Sequence, residues 1–163
     1  MNYHNITKDD MLNGDGLRVV LWVAGCEHHC PFCQNPETHN PESGIEFDKN
    51  AWLEICEQLD KDYIDGITLS GGDVLAIYNR QTITELVKEI KNIYPHKTIW
   101  CYTGYTFEEI KDLEIMKYID VLVDGRFIID LKEENLKWRG SSNQRVIDIQ
   151  NTLKENKVIL YCN

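Results

Sequence analysis

Apolar residues in this chain alternate between two spacings. Leu17-Arg18-Val19-Val20-Leu21-Trp22-Val23-Ala24 is short, rich in β-branched residues and apolar on both alternations, which predicts a fully buried strand. Residues 66–70, 98–102 and 119–123 have the same character and predict three more strands. Between these runs the spacing becomes helical. Trp52, Ile55, Cys56 and Leu59 follow Asp48, a candidate N-cap, and predict a helix over 49–60. Ile83, Leu86, Val87, Ile90 and Ile93 predict a second helix over 80–93, stopped by Pro95. Thr106 and Glu109 have the spacing of a capping box and open a third helix running to about Tyr118. Residues 1–16 are polar and read as a lead-in that ends in the turn Asn13-Gly14-Asp15-Gly16. Pro31, Pro36 and Pro41 keep residues 25–45 out of regular helix.

Strands alternating with helices predict an α/β fold with a mostly parallel sheet. Beyond residue 125 the pattern weakens. Residues 145–149 and 157–161 read as two last strands with a short helix or turn between them. A closed barrel of eight β/α units takes about 250 residues. The chain has 163, so a partial barrel or open sheet in a single domain, 1–163, is expected. The turns after the strands hold Gly25, Gly71-Gly72, Gly104 and Gly125. In such folds chemistry sits at the C-terminal strand ends, so these turns are expected on one rim.

Composition narrows the class. The chain is 42% hydrophobic and 27% charged, ordinary for a protein with a proper core. Its formal net charge is −10 with no basic stripe, which argues against a duplex nucleic-acid binder. The first ten residues lack the basic head and apolar centre of a signal peptide. No apolar run approaches the ~20 residues of a membrane helix. A cytoplasmic protein is expected, in which clustered cysteines read as metal-binding or catalytic. Only the loop over 126–145 is locally basic, with Arg126, Lys132, Lys137, Arg139 and Arg145 against Asp130, Glu133 and Glu134.

Three of the six cysteines, Cys26, Cys30 and Cys33, directly follow the first apolar run. Clustered thiolates select zinc, copper(I) or iron–sulfur centres. Three thiolates can hold three corners of one centre and leave the fourth open, as catalytic sites do. The spacing leaves several readings: a zinc site completed by His28, His29 or His39, an electron-transfer cluster, a nucleophilic cysteine pair, or a 4Fe-4S cluster with one open iron. An electron-transfer cluster needs a fourth cysteine, and Cys56, Cys101 and Cys162 lie scattered on other elements. Cys56 sits on a helical apolar stripe and reads as a core thiol. Gly71-Gly72-Asp73 ends a strand, where glycines permit positive φ and close backbone approach, and a carboxylate accepts from an ammonium group. On one rim with the cysteines, it is a candidate for holding the amine of an amino-acid-like cofactor. His28 and His29 read as exposed loop residues or donors behind the ligands. Trp22, Trp52 and Trp100 read as core, and Trp138 as a partner contact.

The spacing Cys26-x3-Cys30-x2-Cys33, with Phe32 before the last cysteine, resembles the cluster loop of the radical S-adenosylmethionine (SAM) superfamily. Ser70-Gly71-Gly72-Asp73 is similar to that superfamily's Gly-Gly-Glu motif. More narrowly, Met1-Asn2-Tyr3, Thr103-Gly104-Tyr105, residues 123–127 and Trp138-Arg139-Gly140-Ser141-Ser142-Asn143-Gln144 resemble the activating proteins of anaerobic (class III) ribonucleoside-triphosphate reductases. The chain departs from that pattern at Asp15 and Val74, where proline is usual, and at Gln34, where tyrosine is common. The resemblance implies a partial β/α barrel of radical SAM type. It implies that Cys26, Cys30 and Cys33 bind a 4Fe-4S cluster whose fourth iron takes SAM. Phe32, Cys33, Gln34 and Gly72 would contact SAM, with Gly71 and Asp73 supporting its amine. The implied activity is an oxidoreductase one. An electron from a flavodoxin- or ferredoxin-like donor cleaves SAM to a 5′-deoxyadenosyl radical, which takes a glycine Cα hydrogen from the large reductase subunit. No side-chain acid or base is implied beyond cluster and SAM. Alternatives are an activase of another glycyl-radical enzyme, a small-molecule radical SAM enzyme, or a zinc-stabilised interaction module.

Overall fold

The structure, a computed structural model, describes residues 1–163. Its strands are β1 (Asn2–Asp10), β2 (Arg18–Val23), β3 (Ile45–Glu46), β4 (Gly66–Gly71), β5 (Thr98–Tyr102), β6 (Val121–Asp124), β7 (Arg145–Asp148) and β8 (Leu160–Cys162). Its helices are α1 (Lys49–Leu59), α2 (Arg80–Ile93), α3 (Phe107–Ile110) and α4 (Ile149–Glu155). The eight strands form one sheet in the order β3-β1-β2-β4-β5-β6-β7-β8. The fold is α/β, and the sheet is partly parallel. The centre, β2-β4-β5-β6, is parallel, while β1, β3, β7 and β8 are added antiparallel at the two sides.

The parallel centre follows from the continuous apolar runs. Val19, Leu21, Ile67, Leu69, Ile99, Cys101 and Leu122 are all fully buried, as strands covered on both faces require. The helices pack their apolar stripes on this centre. Ile83, Leu86, Val87 and Ile90 of α2 and Ile55 and Leu59 of α1 join the same core cluster. Asp48 caps α1, its side chain accepting from Ala51 N at 3.0 Å.

Several expectations change. The lead-in contains β1, which pairs with β2; its polar residues face solvent while Tyr3 and Ile6 reach the core. The third helix begins at its capping box but closes after Ile110. The chain then continues as a separate 3-10 turn, Glu114–Lys117. Cys56 is half-buried, not core. Trp22 and Trp52 are half-buried as well, and only Trp100 is fully interior. Trp138 packs edge-on against Trp100, with ring centroids 4.8 Å apart, so it closes a small second core with Val121, Val123 and Val146. No helix is long and apolar enough to cross a membrane.

Two arginines tie the sheet. Arg18, though it sits in an apolar run, is 1% exposed. It donates to Thr68 Oγ1, Ile67 O, Thr98 Oγ1, Thr98 O and Asp15 O at 2.8–3.0 Å. Its guanidinium lies 5.5 Å from the Trp100 ring centroid. Burial holds its pKa down to about 10, against the pull of Asp65 and more distant acids. Arg145 grips the buried Asp124 carboxylate from Nε (3.0 Å) and Nη2, and Glu108 from Nη1 and Nη2 (3.1 and 2.7 Å). It is therefore committed to the β6–β7 corner and is not a free docking cation. Arg18→Ala removes the five bonds together with the stem packing. It should lower unfolding free energy by roughly 3 kcal/mol or more, read from the urea midpoint at constant m. Arg145→Ala leaves Asp124 charged, buried and unpaired and should cost about 3–5 kcal/mol, whereas Arg126→Ala, on an exposed side chain, should fall within about 0.5 kcal/mol of wild type.

Candidate metal and cofactor site

The parallel strands β2, β4, β5 and β6 all end on one side of the sheet. The segments leaving them line a cavity of about 430 Å³. Cys26, Cys30 and Cys33 lie on its wall with Gln34, Gly71, Gly72 and Asp73. Thr103, Gly104 and Gly125 come from the neighbouring strand ends, and Trp138, Arg139, Gly140 and Gln144 from the basic loop. Of the residues that the resemblance assigns to cluster and SAM, Phe32 alone is not part of this wall, and of the candidate histidines His29 is not. Phe32 is 78% exposed, at φ +60°.

Backbone contacts place the cysteine loop. Gly72 N donates to Val23 O (2.8 Å) and Asp73 N to Gly25 O (2.7 Å). A Cβ on Gly72 would collide with the Gly25 carbonyl, so the close approach glycine permits here is to the chain itself. Gly25 N and Cys26 N donate to Thr38 O and His39 O at 2.6 and 3.0 Å, which closes the loop over residues 26–39. All three thiols are half-buried. Burial pushes the Cys26 thiol pKa up, while backbone N–H groups at His28 and His29 favour the thiolate. Cys33 Sγ accepts from Asn35 N at 3.4 Å. No three His, Cys, Asp or Glu side chains gather closely enough to hold a single ion; a multi-iron cluster, which takes each thiolate on a different iron, does not need them to.

Two buried side-chain atoms lack a hydrogen-bond partner, His39 Nε2 and Arg139 Nε, and both residues line this cavity. Such orphans cost about 1–3 kcal/mol each and are rare in native structures. Both atoms lie buried within the wall, met by no group of the protein. Arg139 is fixed by Nη1 donating to Gln144 O at 2.7 Å. Gln144 in turn accepts from Gly140 N and Ser141 N (2.9 and 3.1 Å) and donates to Gly125 O (2.9 Å). The Trp-Arg-Gly-Ser-Ser-Asn-Gln run is thus a self-locking loop that places one arginine on the same cavity wall as the thiols. Three thiols, open space and two unmet polar nitrogens fit an iron–sulfur centre with a small polar ligand beside it.

His28, expected as exposed or as a donor, is interior: its side chain is 3% exposed and its Nε2 lies 2.5 Å from Asp73 Oδ2. His29 faces His39, Nδ1 to Nδ1, at 3.3 Å. The sequence offered His28 only as one of three candidate zinc ligands or a donor behind the ligands, and did not place it against Asp73. The local basicity of 126–145 was the one signal pointing to Arg139.

Comparison with known proteins agrees with this geometry. Residues 12–147 match the family described as a 4Fe-4S single cluster domain. The anaerobic ribonucleoside-triphosphate reductase-activating protein of Enterobacteria phage T4 is 48% identical over 146 residues, covering 90% of this chain and 93% of its own length. The protein of the same name from Escherichia coli (strain K12) is 44% identical over 150 residues, covering 90% and 97%. That from Vibrio cholerae serotype O1 is 40% identical over 148 residues, covering 88% and 96%. With its cysteine-lined cavity, its match to the cluster domain and this near full-length similarity, the chain belongs to the anaerobic ribonucleoside-triphosphate reductase-activating protein family.

Proposed function

We propose that this chain generates a glycyl radical on an anaerobic ribonucleoside-triphosphate reductase, by reductive cleavage of SAM at a 4Fe-4S cluster. The observation that carries the reading is the meeting of three thiols, the Gly-Gly-Asp turn and two orphaned polar nitrogens in one cavity. When bound, cluster and SAM supply the hard chemistry: one electron splits SAM into methionine and a 5′-deoxyadenosyl radical, which removes a hydrogen from a glycine Cα of the reductase. The chain's own residues bind, orient and enclose.

In this reading Cys26, Cys30 and Cys33 hold three irons and leave one for the amino and carboxylate groups of SAM. Backbone at Cys33, Gln34 and Gly72 would lie along the cofactor, with Phe32 reaching it only through the backbone it shares with Cys33, and Gly71 and Asp73 would shape the turn at its amine. Arg139 takes the SAM carboxylate. Its Nε has no partner, its Nη1 is already held by Gln144, and no other Lys or Arg lines the cavity. Trp22, Phe127, Leu136 and Trp138 give the cavity apolar walls that limit water around the reacting atoms. We further read the whole chain as one cytoplasmic domain, its sheet curved as a partial barrel, reduced by a flavodoxin- or ferredoxin-like donor.

Anaerobic reconstitution should give a brown protein with about four irons per chain and broad thiolate-to-iron absorbance. Incubated with reductant and SAM it should release 5′-deoxyadenosine and, with the reductase added, leave a glycyl radical signal in electron paramagnetic resonance. Cys30→Ala should lose the cluster and both products; a colourless zinc protein that leaves SAM intact would end the proposal. Arg139→Gln should keep its iron content but bind SAM about 10- to 100-fold more weakly, the worth of one charge-assisted bond. Equilibrium dialysis against labelled SAM reads this directly.

A further inference from the structure

We propose that His28 is a positioning residue, latching the cysteine loop to the ends of β4 and β5 through Asp73. The inference rests on the cluster part of the reading above and not on SAM.

His28 stands between two of the proposed ligands, Cys26 and Cys30, yet points inward while its neighbours Glu27 and His29 are exposed. Its Nε2 meets Asp73 Oδ2 at 2.5 Å. The Asp73 side chain is 1% exposed. It also accepts from Thr103 Oγ1 (2.9 and 3.1 Å), Gly104 N (2.9 Å) and Leu75 N (2.8 Å). A carboxylate offers about four acceptor directions, and these donors occupy them. Every group around Asp73 gives a hydrogen and none takes one, so the imidazole donates from Nε2.

Two consequences follow. First, the Asp73 carboxylate is spent inside the chain. It has no direction left for the ammonium of a cofactor, so support of the SAM amine falls to backbone and is indirect where Asp73 is concerned. Second, the latch joins three segments distant in sequence: the cysteine loop, the turn after β4 and the turn after β5. The imidazole seat is shaped for the ring. A Cβ on Gly104 would overlap it, and Tyr105 packs edge-on with centroids 4.6 Å apart. Tyr105 Oη donates to Glu27 at 2.9 Å, so the residue before His28 is tied as well. The loop needs such ties. His29 and Phe32 both sit at positive φ, +46° and +60°, where non-glycine residues are strained. A loop that must hold three thiols apart in this conformation would relax if released.

The test uses His28→Ala, His28→Gln and Asp73→Asn in the full chain. Glutamine carries an amide N–H that can reach the position of imidazole Nε2. In cluster-free protein, backbone amides of residues 26–33 should exchange about tenfold or more faster in His28→Ala than in wild type, and His28→Gln should restore protection. After anaerobic reconstitution, iron loss to a chelator should follow the same order, with Asp73→Asn grouped with His28→Ala. The change should be confined to residues 25–34 and the turns after β4 and β5, with α2 amides unchanged, which separates positioning from general destabilisation. Equal exchange and equal iron release in His28→Ala and wild type would overturn the latch. So would an Asp73→Asn variant that keeps its iron but loses SAM affinity, since the carboxylate would then serve the ligand. Because exchange and iron release need no SAM, failure of SAM cleavage alone leaves this result readable.

Discussion

Everything at the site depends on two backbone hydrogen bonds that bring the end of β4 against the end of β2. Gly72 and Asp73 donate to Val23 and Gly25, and only a glycine at 72 lets the two backbones come this close. The contact extends the parallel ladder, in which Trp22 pairs with Ser70 and Val23 with Gly71, by one further turn. Carbonyls left over at such a junction would be buried and unmet. Asn79, itself buried, answers two of them, donating from Nδ2 to Ala24 O and Asp73 O at 3.0 and 3.2 Å. The junction fixes where the cysteine loop starts. The loop can then be laid across the neighbouring strand ends rather than hang from a single one.

Charge in this molecule has to be read by partner rather than by position. The chain is acidic overall, and three of its arginines do unrelated work. Arg18 is buried among carbonyls and hydroxyls, with no carboxylate bonded to it, and its depressed pKa records the desolvation. Arg145 neutralises Asp124, whose Oδ2 also accepts from Phe107 N and so starts α3. Desolvation is matched at both. Arg139 is the exception, since its Nε is buried and unmet. A bond left unmade in an interior is costly, and the surrounding loop holds it there by spending Gln144 on its backbone and Asn143 on Arg126 O. Rigid support behind one unsatisfied donor is how a binding group is preorganised.

The sequence was legible where spacing is local. The apolar stripe ending before Pro95 set α2 over the same residues the structure gives, and the run at 98–102 set β5. Caps at Asp48 and Thr106 are four-residue patterns and appear as read. β1 escaped because one face of it is solvated and polar, with Asp9 at φ +52° breaking the alternation near its end. The third helix was overextended because Ile110, Ile115, Met116 and Ile119 are all buried, yet the gap after Ile110 does not fit a continuous helix. The antiparallel flanks escaped because pairing direction is not written in a strand's own pattern. For the site the same divide holds. Three cysteines within one loop announce themselves, and so does Gly-Gly-Asp. The pairing of His28 with Asp73 and the place of Arg139 in the wall do not, since both come from which strand ends are neighbours.

That divide bears on what the cysteine spacing can mean. On a free loop, three thiolates this close in sequence can fold around one ion, and zinc with sulfur at about 2.3 Å would draw them together. Here the loop is not free. Its entry is pinned at Gly25 and Cys26 by the carbonyls of residues 38 and 39, its middle by His28 on Asp73, and its turn by Cys33 N on Cys30 O at 3.1 Å. Any metal centre the thiols take is met by a loop held at these points, with His29 and Phe32 already at positive φ. The frame, more than the motif, therefore decides how the thiols are presented, and it sets His39 and Arg139 in the wall of the same cavity.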